Sequence, residues 1–143
     1  MKALQAVSVA LLAALVVIGS GCGKQATVYD SPQAVAQALG ECLQRADWQG
    51  AAKLFAIEKQ CAEQATDWNT YAPQQRREIV QKMLQAKASE LKELGLPQDA
   101  YSVSGQRSAQ GGTYVQLKGQ RALLLLFVVN TDKGYKIYSL TRQ

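Results

Sequence analysis

The chain has 143 residues, of which 48% are hydrophobic and 19% charged, with a formal net charge of +5, three cysteines and no histidine. That is one domain's length at a composition near the globular average, which excludes collagen-like, coiled-coil and wholly disordered chains. The missing histidine excludes a Ser-His-Asp triad, a Cys-His dyad and any zinc site that needs imidazole.

The first element is apolar. Met1-Lys2 precede Ala3 to Ile18, a run without a charge in which only Gln5 and Ser8 are polar, and Gly19-Ser20-Gly21-Cys22 follow at once. A basic residue, a short apolar run and small residues read as a secretory signal, and the run is shorter than the roughly 20 residues a spanning helix needs. Lys2, the apolar run and Gly21-Cys22 together resemble the lipobox of bacterial lipoproteins, with Gly19 standing where that family most often has Leu. The resemblance implies cleavage before Cys22, a diacylglyceryl thioether on its sulfur and usually a third acyl chain on its amine. Two or three buried chains, at about 0.8 kcal/mol per methylene, would hold a domain persistently at a membrane. Gly23, not Asp, follows the cysteine, and in Gram-negative lipoproteins Asp there commonly signals inner-membrane retention. The implied location is therefore the periplasm-facing cell envelope, with the outer membrane favoured.

Three segments are expected: a signal peptide over residues 1–21, a lipidated tether over 22–30 and a single domain over 31–143. The tether carries no apolar periodicity, so the domain would sit close to the bilayer. Without Lys2, 15 basic side chains face 11 acidic ones, a net +4, and Arg76-Arg77 is the only adjacent basic pair. Nucleic-acid binders cluster their cations with aromatics, so no nucleic-acid partner is expected; mild positive charge suits an anionic bilayer.

Ser31-Pro32 opens the first helix of the domain, Ser as N-cap and Pro in the first turn. Val35, Leu39, Cys42, Leu43 and Ala46 form one apolar stripe. Asp47 caps a second helix with Trp48, Ala51, Ala52 and Phe55 on one face. Glu58 to Ala72 has no clear period and is expected as an irregular segment that exposes Trp68. A third helix starts near Pro73, carries Val80, Met83, Leu84, Leu91 and Leu94 toward the core, and stops at Gly95-Leu96-Pro97.

Beyond Pro97 the period changes from about 3.6 to 2. Tyr101 to Ser104 and Thr113 to Lys118 alternate, and Gly119-Gln120 suits a two-residue turn. Ala122 to Val129 is a continuous apolar run, expected as a central strand covered on both faces. Asn130 to Gly134 connects it to a last strand over Tyr135 to Leu140. Helices followed by about four antiparallel strands make an α+β fold, with three helices covering one face of a bent sheet.

Ser31-Pro32, Leu43 to Phe55 and the closing Gly134-Tyr135-Lys136-Ile137 resemble the nuclear-transport-factor-2-like superfamily, most of all its uncharacterised bacterial lipoproteins. The resemblance implies a cone, a bent antiparallel sheet around helices, often with an apolar pocket at its mouth. Enzymes of that superfamily often place Asp, Tyr or His there, and no residue here matches such a position.

Cys42 and Cys61 remain once Cys22 is lipidated. In an exported domain two cysteines read as a disulfide, which would close a loop worth about 3 kcal/mol. The alternative, a redox pair of the thioredoxin kind, separates its cysteines by two residues, whereas eighteen separate these.

No catalytic residue, metal site or cofactor motif is assigned. Glu90 and Glu93 beside Lys87 and Lys92 read as a solvated helix face. Trp68, Tyr71, Tyr114 and Tyr138 are the candidates for contact with a ligand or partner, since amphipathic aromatics dominate recognition surfaces. The expected function is a membrane-anchored, non-catalytic domain that binds an envelope protein or a small ligand. Two alternatives stand: an inhibitor or immunity-type protein acting through the 58–72 segment, and a cone-pocket enzyme using Tyr and Asp as acid and base.

Overall fold

The computed structural model describes residues 27–143. The signal segment, Cys22 and the tether up to residue 26 lie outside the described residues. Helices α1 (Pro32–Gln44), α2 (Trp48–Ala52), α3 (Ile57–Gln64) and α4 (Pro73–Glu93) precede strands β1 (Ser102–Ala109), β2 (Gly112–Lys118), β3 (Leu123–Thr131) and β4 (Gly134–Arg142), with a 3₁₀ turn at Trp68–Thr70. The strands form one antiparallel sheet in the order β1-β2-β3-β4. The fold is α+β, helices first and then a meander.

Local chemistry accounts for the helix ends. The Ser31 hydroxyl accepts from the Ala34 N–H at 3.1 Å, and the Asp47 carboxylate accepts from the Gly50 N–H at 2.9 Å. Each satisfies a donor that the first helical turn leaves unpaired. Between them Ala46 takes a left-handed φ of 55°, which turns α1 into α2. Gly95 ends α4 at φ 65°, a conformation that a Cβ disfavours.

The core lies between α1, α2 and one face of the sheet. Val35, Leu39 and Leu43 on α1 meet Val115, Leu117, Leu124, Leu126, Val128 and Ile137, all of them fully buried. On β3 the buried residues alternate with Leu123, Leu125 and Phe127, which are only partly buried. The expectation of a strand covered on both faces is therefore corrected. An all-apolar β3 reads alike whether one face or two is packed, and the helices pack on one.

The second helix also ends earlier than its apolar spacing suggests. After Ala52 the chain extends alongside β4: the Ala56 N–H donates to the Ile137 carbonyl and the Ile137 N–H to the Leu54 carbonyl, both at 2.8 Å. This parallel bridge blunts the β4 edge and carries Phe55 into the core. A second device follows on β4. Phe127 pairs with Ser139 but Val128 with Ile137, so Tyr138 is the extra residue of a β-bulge. The Gln60 side-chain amide donates to the Tyr138 carbonyl at 2.8 Å, which docks α3 on the bulge.

The connections are tighter or longer than the sequence suggests. Asp132 and Lys133 alone join β3 to β4, with Gly134 at φ 89°. The β2–β3 link is four residues, Gly119 to Ala122, closed by a 2.8 Å bond from the Gly119 N–H to the Ala122 carbonyl. Asp99 fixes this link from the α4–β1 segment. Its carboxylate accepts from the Arg121 backbone N–H at 2.8 Å and from the guanidinium at 3.0 and 2.9 Å.

Helix α4 departs most from expectation. Leu91 is buried with Ala88, but Met83 is 37% and Leu94 47% exposed, and Val80 and Leu84 are only partly buried. The helix packs on α2 and on α3, and its Val80 and Leu84 line a cleft.

Candidate functional site

The segment without a readable period folds into the wall of a cleft. Residues Glu58 to Ala72 form most of α3 and the 3₁₀ turn, and Trp68 is buried at 8% exposure, not exposed as expected. Its indole packs edge-to-face on Tyr71 with ring centroids 5.9 Å apart. A surface loop would leave this large apolar ring in water; folding places it beneath the cleft.

The cleft is about 540 Å³, within the ordinary range for small-molecule sites. Phe55, Ile57, Trp68, Val80 and Leu84 supply its apolar lining. Its polar rim comes from two sides: Lys53, Glu58 and Lys59 before and on α3, and Asp132, Lys133 and Lys136 on the β3–β4 hairpin. A second hollow of about 390 Å³ shares Glu58, Trp68 and Val80 in its lining and reaches Arg76 and Arg77 at the start of α4.

Charge on this rim is unevenly compensated. Lys133 pairs with Glu58 at 2.6 Å and Lys59 with Glu63 at 3.3 Å. Lys136 has no carboxylate within ion-pair distance among the described residues; its ammonium donates to the Lys53 carbonyl at 3.1 Å. Burial and then the neighbouring Lys133 charge push its amine below the usual lysine value, against a smaller opposing pull from Glu58. This is a partly desolvated cation beside an apolar floor.

The remaining candidates fall elsewhere. Tyr114 and Tyr138 flank Phe127 on the sheet, with centroid distances of 4.9 and 6.4 Å. Arg107 lies over the Tyr114 ring at 5.4 Å. The Tyr138 hydroxyl donates to Glu63 at 2.6 Å, which raises the phenol's pKa and lowers that of the carboxyl. The four aromatics thus make two groups, and Phe127, which joins one of them, is missed by a reading that seeks polar-tipped rings.

Cys42 and Cys61 are separate buried thiols, and the expected disulfide is not formed in this structure. Cys42 sits on α1, which packs on α2 and the sheet, and Cys61 on α3, which packs on α4 and the 3₁₀ turn. Burial raises both thiol pKa values, which disfavours the reactive thiolate. Asp99 is the one buried carboxylate among the described residues. Burial pushes its pKa up, but the Arg121 side chain, backbone N–H and charge, with the Gln120 N–H, outweigh this and hold it low. Such a group is an anchored acceptor and not a proton donor. Among the described residues no three His, Cys, Asp or Glu side chains gather to hold a metal, and no helix is long and apolar enough to cross a membrane.

The chain matches no family model, no curated protein and no solved structure.

Proposed function

We propose that the protein is an envelope lipoprotein, anchored through Cys22, whose domain binds a small ligand or a protein partner without catalysis. The carrying observation is the cleft between α3, α4 and the β3–β4 hairpin, which combines an apolar floor with a lysine rim. The Cys42 and Cys61 thiols and the Tyr71 and Tyr138 phenols titrate above their ordinary ranges, and the one buried carboxylate among the described residues is locked to Arg121. Binding therefore has more support than acid–base chemistry. The order of helices and four-stranded meander supports the nuclear-transport-factor-2-like resemblance. The signal segment, Cys22 and the following Gly23 support the outer-membrane location, and an oxidising envelope supports a Cys42–Cys61 disulfide in the exported protein. The burial of Trp68 weighs against a protruding 58–72 loop of the inhibitor kind and puts the same segment to use as a cleft wall.

Photo-reactive side chains placed at Asn69, on the cleft, and at Gln106, on exposed β1, test this in intact cells expressing the full chain. Adducts formed from position 69 and not from position 106 are expected. Adducts from position 106 alone, or from neither, contradict the proposal.

A further inference from the structure

Resting on that reading of the cleft, we infer that its ligand is an amphiphile with a hydrocarbon chain and an anionic head, such as a long-chain carboxylate or an acidic lipid. Three features converge on this class. Phe55 from the bridge along β4, Ile57 on α3, Trp68 in the 3₁₀ turn and Val80 and Leu84 on α4 form a floor with no polar side-chain atom except the indole N–H. Burying a flexible hydrocarbon there is favourable by about 25 cal/mol per Å² of apolar surface removed from water.

Above the floor the charge is predominantly positive. The two hollows, which share Glu58, Trp68 and Val80 in their linings, carry six cations, Lys53, Lys59, Arg76, Arg77, Lys133 and Lys136, against two carboxylates, Glu58 and Asp132. This excess of cations attracts an anionic head and repels a cationic one.

Lys136 then marks where the head belongs. Its ammonium is partly desolvated, lies beside Lys133 and is bonded only to a neutral carbonyl, so an incoming anion replaces the charge partner that the fold does not supply. Lys133 is the second donor, because its pairing with Glu58 joins two side chains more than half exposed and such a pair is weak. The anion would sit between the two ammonium groups, with its chain running toward Trp68.

The test uses the full chain reconstituted in phosphatidylcholine vesicles and a diazirine-bearing dodecanoate as photolabel. Adducts are expected on peptides containing Phe55, Trp68, Val80 or Leu84, and free dodecanoate should compete while dodecyltrimethylammonium should not. Lys136→Met and Lys133→Met are each expected to lower labelling about tenfold or more, the range for losing a charge-assisted bond. Lys92→Met removes the same charge from the far end of α4 and should leave labelling unchanged. Lys136→Met should not lower the melting temperature, since it deletes a desolvated cation, so lost labelling will not reflect unfolding. Loss of labelling when phosphatidylglycerol is added to the vesicles assigns the head to a bilayer lipid, and indifference to it assigns a free acid. Adducts scattered over the surface, competition by the cationic amphiphile, or an equal loss in Lys92→Met overturns the inference. If labelling fails while position 69 still forms adducts in cells, the ligand class falls and the cleft reading stands.

Discussion

Leu126→Ala is expected to destabilise the domain by about 3–5 kcal/mol, the range for truncating a fully buried leucine. Leu126 has no exposed surface, lies on the central strand β3 and pairs with Val115 on β2 and Leu140 on β4. Truncation leaves a cavity bounded by strands on both sides, whose backbone bonds resist the collapse that would fill it. Leu125→Ala, one residue away, faces the partly covered side and should cost much less. Chemical denaturation of the two variants separates them. Equal effects would mean that something covers the outer face of the sheet as tightly as α1 covers the inner one.

Asp99→Asn is the second large effect, expected at about 2 kcal/mol near neutral pH. It weakens three bonds at once, two to the guanidinium and one to the backbone N–H of Arg121, and frees the four-residue β2–β3 link. Hydrogen bonds to charged groups contribute about 1.5–3 kcal/mol, and the 66% exposure of the Arg121 side chain places this cluster below the upper end. The sign of the pH dependence follows from the lowered carboxyl. A carboxylate with its folded pKa below its unfolded one stabilises the fold fully above the ordinary value of 3.8, and that stability is lost as pH falls through the folded value. The gap in melting temperature between the parent and Asp99→Asn should therefore be widest near neutrality and shrink below pH 3.8. A gap that stays constant into acid would show that Asp99 acts by shape and not by charge.

Much of the fold was legible because its signals are local. Ser31 and Asp47 cap the helices that their position suggested, Gly95 stops α4, and the change of period after Pro97 marks the passage from helices to sheet. What the sequence concealed depends on partners distant along the chain. Phe55 continues the helical spacing of Trp48 and Ala51, yet the open edge of β4 draws it into an extended bridge. Tyr138 alternates like its neighbours, yet an extra residue there makes a bulge whose carbonyl needs Gln60. Val80 and Leu84 lie on an apolar stripe that a core and an open cleft read equally well.

The candidate site was legible only in part, for the same reason. Trp68 and Tyr71 stand out in the sequence as amphipathic aromatics, but the burial of Trp68 under a cleft depends on α3 folding against α4. The lysines went unnoticed because scattered cations look like solubilising charge. Lys53 is far in sequence from Lys133 and Lys136, and only the bridge from Leu54 to Ala56 along β4 brings it beside them. Nothing in the spacing of single lysines announces such a cluster.

Anchoring is the central claim, because it decides which compartment, partners and ligands the domain meets. Mass analysis of the N-terminal peptide of the full chain, produced in a Gram-negative host and recovered from its membranes, tests it most directly. The peptide should begin at Cys22 and carry a diacylglyceryl group with an amide-linked acyl chain, and Cys22→Ala should abolish the modification and release the protein from the membrane fraction. A peptide beginning at Met1, a cleaved Cys22 without lipid, or unchanged fractionation of Cys22→Ala would contradict the account.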